Sequence, residues 1–173
     1  MSTPGEVLIE KNTFESSGSA ILIPGDANGW YESGAVKNVI IRNNIFSEAC
    51  LTSLYQFCEG IISIDPEIPK PQNDKPFHRN IRIEYNTFHP FDYPVLYAKS
   101  TQGLIFNNNI IERSTKYTPF HYRRYMITLE RCKKIQVLGN QLVGDVLGKN
   151  ILLKDTPSAE VKADKLLQVT VSK

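Results

Sequence analysis

The chain has 173 residues, 41% apolar and 22% charged, which is enough for one domain with a sizeable core and too few for two. With 20 basic against 18 acidic side chains it carries no charge excess that would draw it to nucleic acid or to an anionic membrane surface. No apolar run approaches the roughly 20 residues of a membrane-spanning helix, the opening residues Met1 to Gly5 lack the basic and apolar regions of an export signal, and an odd count of three cysteines argues against a dense disulfide framework.

Taken in chain order, the first predicted element is 7–14, Val-Leu-Ile-Glu-Lys-Asn-Thr-Phe. Apolar residues stand at its first, third and eighth positions and Asn12 at the sixth. The same eight-residue pattern returns without gaps at 39–46, 81–88, 104–111 and 135–142, placing Asn44, Asn86, Asn109 and Asn140 at the sixth position. The alternation is that of a strand. Successive asparagines are 32, 42, 23 and 31 residues apart, so a unit of 23 carries insertions. Between these segments lie further short strands at 20–23, 60–64, 94–98, 126–130 and 150–154. No helical period interrupts them. The fold class expected is all-β, a right-handed parallel β-helix of about five coils spanning 5–154. The stretch 155–173 would be a C-terminal cap or tail, and a first coil without a cap would favour pairing of two copies.

Stacking coils in register piles like positions into ladders about 4.8 Å per step. Phe14, Phe46 and Phe88 form an expected aromatic ladder continued by Ile111 and Leu142. The five asparagines form an expected amide ladder at one corner, where Asn accepts a left-handed backbone and bonds turn groups. Cys50, Cys58 and Cys132 read as small buried hydrophobes, with a local Cys50–Cys58 pair as the alternative. The absence of CxxC and HExxH gives no zinc motif, and no cofactor is expected.

One stretch is more specific than the repeat. Ala20-Ile-Leu-Ile-Pro-Gly-Asp-Ala-Asn-Gly-Trp-Tyr-Glu-Ser-Gly34, followed by Val39-Ile-Ile-Arg-Asn-Asn44, resembles the α-1,3-galactosidases of glycoside hydrolase family 110. The resemblance implies an exported bacterial enzyme, placed in the periplasm, on the cell surface or outside the cell. It also implies removal of terminal α-1,3-linked galactose from a glycan by an inverting, metal-free mechanism. Members of that family are several times longer than this chain, which would make this a late part of the β-helix.

Insertions mark the decorated face of a solenoid. Two, at 24–34 and 65–79, leave one corner on consecutive coils, and the same corner shrinks to 99–103 on the third. They hold the candidate residues. An inverting glycosidase needs two carboxylates about 6.5–9.5 Å apart, and ladder positions two coils apart are separated by about 9.6 Å, so a solenoid can present such a pair. Asp26, Glu32, Asp65 and Glu67 are the carboxylates available, and Asp26 and Glu32 are the candidate acid and base. Trp30, Tyr31 and Asn28, with Asp65 and Glu67, are the candidate sugar contacts: an aromatic face covers the C–H face of galactose while polar groups bond its hydroxyls. Each has a structural alternative. Asp26 also fits an Asx-turn, Asp65 a turn start before Pro66, and Trp30 a cover over a core edge. His78, His89 and His121 read as turn or surface residues, and the basic aromatic run at 117–125 as a solvated loop. A non-catalytic glycan-binding or supporting module and a calcium-dependent polysaccharide lyase are the competing functions. The lyase is the weaker, because carboxylates do not recur on adjacent repeats.

Overall fold

The computed structural model describes residues 5–16, 18–31, 33–47, 59–68, 75–119, 125–144 and 150–172. Each coil carries three short strands. The first has β1 (Val7–Glu10), β2 (Thr13–Phe14) and β3 (Ile21–Asp26). The second has β4 (Lys37–Arg42), β5 (Ile45–Phe46) and β6 (Ile62–Glu67), and the third β7 (His78–Glu84), β8 (Thr87–Phe88) and β9 (Leu96–Lys99). The fourth has β10 (Thr101–Asn107), β11 (Ile110–Glu112) and β12 (Ile127–Glu130), and the fifth β13 (Ile135–Val137), β14 (Gln141–Val143) and β15 (Asn150–Lys154). β16 (Val161–Ala163) and β17 (Gln168–Val171) add part of a sixth turn after a 3₁₀ turn at Ser158–Glu160.

Like strands pair in parallel. One sheet runs β1-β4-β7-β10-β13-β16, a second β14-β11-β8-β5-β2, and a third β17-β15-β12-β9-β6-β3. The chain is therefore a parallel β-helix, and its register is the one the repeat predicts: Val7 beside Val39, Val39 beside Ile81, Ile81 beside Leu104. Burial follows the period of two. Val39, Ile41, Ile81, Ile83, Leu104 and Phe106 point inward and are fully buried, and their strand neighbours face out.

The aromatic ladder forms as expected. Phe14 and Phe46 stack with ring centroids 4.9 Å apart and planes 6° off parallel, and Phe46 and Phe88 with centroids at 4.5 Å and planes at 5°. Ile111 and then Leu142 continue the column, and Phe106 tilts against Phe88 from the first sheet. Each fully buried ring contributes roughly 1.5–3 kcal/mol before chain entropy is counted.

The asparagine ladder forms too, with one correction. In every coil the backbone N–H and the side-chain Nδ2 of one Asn both donate to Oδ1 of the next: Asn12 to Asn44, Asn44 to Asn86, Asn86 to Asn109, Asn109 to Asn140, all at 3.0–3.1 Å. Nδ2 also reaches backbone carbonyls, for Asn86 those of Ile41 and Glu84. The left-handed residue is the one before each Asn: Lys11, Asn43, Tyr85, Asn108 and Gly139, with φ between 54° and 68°. That twist turns the Asn side chain inward, where its amide satisfies backbone groups that the corner removes from the sheets.

A second corner repeats this chemistry with other side chains. Val36, His78, Thr101, Cys132 and Thr156 occupy one column. The N–H of Val36 donates to Nδ1 of His78 at 3.1 Å, and that of Cys132 to Oγ1 of Thr156 at 3.1 Å. Thr101, Cys132 and Thr156 each donate back to the carbonyl two residues earlier. His78 is thus fully buried on β7, correcting the expected surface or turn residue. Burial lowers its pKa to about 4, and burial pushes the Cys132 thiol up to about 12. Cys50, Cys58, His121 and residues 120–124 of the basic aromatic run lie outside the described residues.

Candidate functional site

The decorated corner begins later than the insertions suggest. Strands β3 and β6 run on past Ile23 and Ile64 and keep pairing through Pro24 with Asp65, Gly25 with Pro66 and Asp26 with Glu67. Backbone pairing here continues even though the sequence has left the apolar pattern. The ring of Phe77 lies against Gly25, in the space that a Cβ there would need. Asp26 and Glu67 therefore stand on adjacent coils at the mouth of the two long insertions.

Asp26 shapes the loop that follows. Its Oδ1 accepts the N–H groups of Asn28 and Gly29, both at 2.9 Å, and its Oδ2 accepts those of Trp30 at 2.7 Å and Tyr31 at 3.2 Å. Four successive amides converge on one carboxylate, an extended form of the Asx-turn. These bonds, led by that of Asn28, hold its pKa below the ordinary carboxylate range. The Asp26 N–H donates to the Ser33 carbonyl at 3.0 Å, and the Ala27 N–H to the Glu67 carbonyl at 2.8 Å, so the loop is closed on itself and tied to the next coil.

The aromatic pair stands outside this knot. Trp30 is 84% exposed and Tyr31 73%, which rules out Trp30 as a cover over a core edge. Tyr31 has a φ of 57°, in the left-handed region. Asn28 and Glu67 are also exposed. Glu32, the second expected catalytic carboxylate, lies outside the described residues.

Asp65 is placed differently. Its carboxylate receives the ammonium of Lys99 at 2.9 Å, with both side chains about four-fifths buried. One coil on, Glu130 pairs with Lys99 in register, accepts the Tyr97 hydroxyl at 3.1 Å and takes Arg131 at 2.7 Å. Burial, followed by the charges of Asp65 and Glu130, raises the Tyr97 pKa well beyond the usual phenol range, so it remains a donor. The sequence reading missed Lys99, Tyr97, Glu130 and Arg131. A signal was present: Asp65, Lys99, Glu130 and Lys154 follow the ladder residues Ile64, Ala98, Leu129 and Leu153, with alternating sign.

The outer face of the third sheet thus offers two environments. One is an ionic row in which the carboxylates of Asp65 and Glu130 have cationic partners, and the other a rigid loop that displays aromatic faces beside Asn28 and Glu67. Among the described residues no group of three or more His, Cys, Asp or Glu side chains could hold a metal ion, and no helix is long and apolar enough to cross a membrane.

No protein-family model matches the chain. Individual relatives do. It is 58% identical over 165 residues to an α-1,3-galactosidase B of Bacteroides thetaiotaomicron, covering 95% of this chain and 27% of that protein. It is 46% identical over 146 residues to an α-1,3-galactosidase B of Phocaeicola vulgatus, covering 80% and 24%. An α-1,3-galactosidase A of Bacteroides fragilis is 42% identical over 165 residues, covering 94% and 27%. The chain spans about a quarter of the length of these relatives. A β-helix whose coils keep register, with the turn at 26–31 closed by Asp26 and this identity along nearly the whole chain, belongs to the α-1,3-galactosidase family, glycoside hydrolase family 110.

Proposed function

We propose that this chain is a working part of an inverting exo-α-galactosidase that removes terminal α-1,3-linked galactose from a glycan. The observation that carries this reading is the 58% identity to an α-1,3-galactosidase over 95% of the chain. In this reading the coils hold the outer face of the third sheet rigid. Trp30 and Tyr31 stack on the C–H face of the sugar, while Asn28 and Glu67 bond its hydroxyls. Asp65 supports that face through Lys99. Glu32 is the carboxylate whose removal tests whether the acid or base belongs to this segment. The same reading puts the full-length protein in the periplasm, on the cell surface or outside the cell, where glycans are met.

A second reading is favoured by one feature. The carboxylates of Asp26 and Asp65 are both engaged within the chain, as they would be in a segment that binds or supports while catalysis happens on other coils. One set of assays separates the two. The full-length protein is offered terminal α-1,3- and α-1,4-galactosides, and the first galactose released is observed by proton NMR. Cleavage of the α-1,3 linkage with β-galactose appearing first is expected. Absence of cleavage, or α-galactose appearing first, would end the proposal. If Glu32→Gln leaves kcat unchanged, the acid and base lie outside this segment and the second reading holds for it.

A further inference from the structure

We infer that Asp26 is a positioning residue for sugar recognition: its carboxylate holds the turn at 28–31 in the backbone conformation that presents Trp30 and Tyr31, and it takes no part in proton transfer. The inference rests on the galactosidase reading above and assigns Asp26 a different role from the acid–base one its sequence context suggested.

A carboxylate offers about four lone-pair sites. In Asp26 each oxygen already accepts two N–H groups, at 2.7–3.2 Å. A general base needs a lone pair aimed at the attacking water, and a general acid must carry a proton near the working pH. Asp26 has no site left for the first task, and its lowered pKa removes it from the second.

What the four bonds do is conformational. They draw the amides of Asn28, Gly29, Trp30 and Tyr31 to one point, which leaves the side chains of Trp30 and Tyr31 outside. They also hold Tyr31 at a φ that a non-glycine residue disfavours. The base of the turn is fixed independently, by Asp26 N–H to the Ser33 carbonyl, by Ala27 N–H to the Glu67 carbonyl and by Phe77 against Gly25. Two large aromatic faces turned to solvent on a fixed backbone lose little conformational freedom when a ligand stacks on them, and pre-ordering of this kind raises affinity. The ligand class is a hexose with an exposed C–H face, the terminal galactose of the proposed substrate.

Trp30 is the only tryptophan in the chain, so its emission reports on this turn alone. In the 173-residue chain, Asp26→Ala is expected to lower the steady-state fluorescence anisotropy of Trp30 while circular dichroism keeps the β-helix spectrum. Asp26→Asn, which retains Oδ1 as an acceptor for Asn28 and Gly29, should fall between. In the full-length protein, the same variants are expected to raise KM for a terminal α-1,3-galactoside about tenfold, with kcat within twofold and both limbs of the pH profile kept. Unchanged anisotropy in Asp26→Ala overturns the inference. So does a kcat loss of a hundredfold or more at constant KM, or the loss of one pH limb in Asp26→Asn. A full-length protein that cleaves no α-galactoside sinks the galactosidase reading instead. The positioning role is then judged by anisotropy and by titrating Trp30 emission with a galactose-terminated oligosaccharide.

Discussion

Asn86 shows how much a single side chain carries in this fold. It is fully buried and bonded on both sides: its Oδ1 accepts two donors from Asn44, and its own amide reaches Asn109, Ile41 and Glu84. Alanine there strands several buried polar groups at once, each worth roughly 1–3 kcal/mol. We expect Asn86→Ala to lower unfolding stability by about 3 kcal/mol and Asn12→Ala by under about 1 kcal/mol, since Asn12 ends the ladder in solvent. Urea unfolding followed by circular dichroism measures both, and equal losses would show that the ladder is not cooperative along the stack. His78 sets a pH limit. Burial lowers its pKa to about 4, and its Nδ1 is taken by the Val36 N–H. The unfolded chain therefore binds a proton below about pH 6.5 that the folded chain refuses until about pH 4. Stability is full above about pH 6.5 and falls as pH drops through that window, by about 1.4 kcal/mol for each unit. In His78→Gln the difference in urea midpoint between pH 7 and pH 5 should shrink; the same slope in both proteins would show that other groups dominate.

At the scale of the element, the strands are short, three to seven residues in most of the first and third sheets, and derive their stability from stacking. The phenylalanine column is the clearest instance. Phe46 has rings on both sides and no exposure, while Phe14 stacks on Phe46 near the start of the column and remains half-buried. Phe46→Ala should lower stability by about 3–5 kcal/mol, and Phe14→Ala by clearly less, as read from thermal unfolding. A reversed order would mean that the end coil, rather than the central one, limits stability. Gly60 marks the opposite constraint. A Cβ there would sit 3.0 Å from the Tyr97 amide nitrogen and 3.1 Å from the Pro94 carbonyl oxygen. These are backbone atoms of the next coil and cannot move aside without opening the β6–β9 pairing. Gly60→Ala is expected to lower stability by about 1–3 kcal/mol; a neutral result would show that the coils can separate locally at no cost.

At the scale of the whole molecule, the apolar core and the exposed candidate site are separate surfaces of the coil. The inward positions of all three sheets form one continuous apolar column from Ile21 to Leu167. The candidate site residues sit outside it, on one corner of the first two coils and on the outer face of the third sheet. Substitution of the exposed Trp30 should therefore leave the unfolding midpoint of the chain within about 0.5 kcal/mol of wild type while weakening hydrolysis or sugar binding by the full-length protein. A stability loss well above that in Trp30→Ala would give Trp30 a packing role that its exposure argues against.

The sequence by itself determined the coil. The eight-residue pattern shows which residues face inward and where the Asn column lies, because a period of two and a fixed polar position leave a single register in which every inward residue meets another. Phe14, Phe46 and Phe88 were legible for that reason, and the loop at 24–34 stood out through the family resemblance. The tertiary structure alone decided what depends on contacts between coils of unequal length. It places His78 in a corner column with Cys132 and Thr156, which no shared residue type announces. It carries β3 and β6 on to Asp26 and Glu67, where strand pairing outlasts the apolar pattern. It closes the carboxylate of Asp26 over four amides of its own loop, although a carboxylate beside Trp30 reads in sequence equally well as a catalyst. The physical reason is the same in each case: a side chain's role in a solenoid is set by its neighbour one coil away, and separations of 23 to 42 residues between like positions hide that neighbour from any local reading.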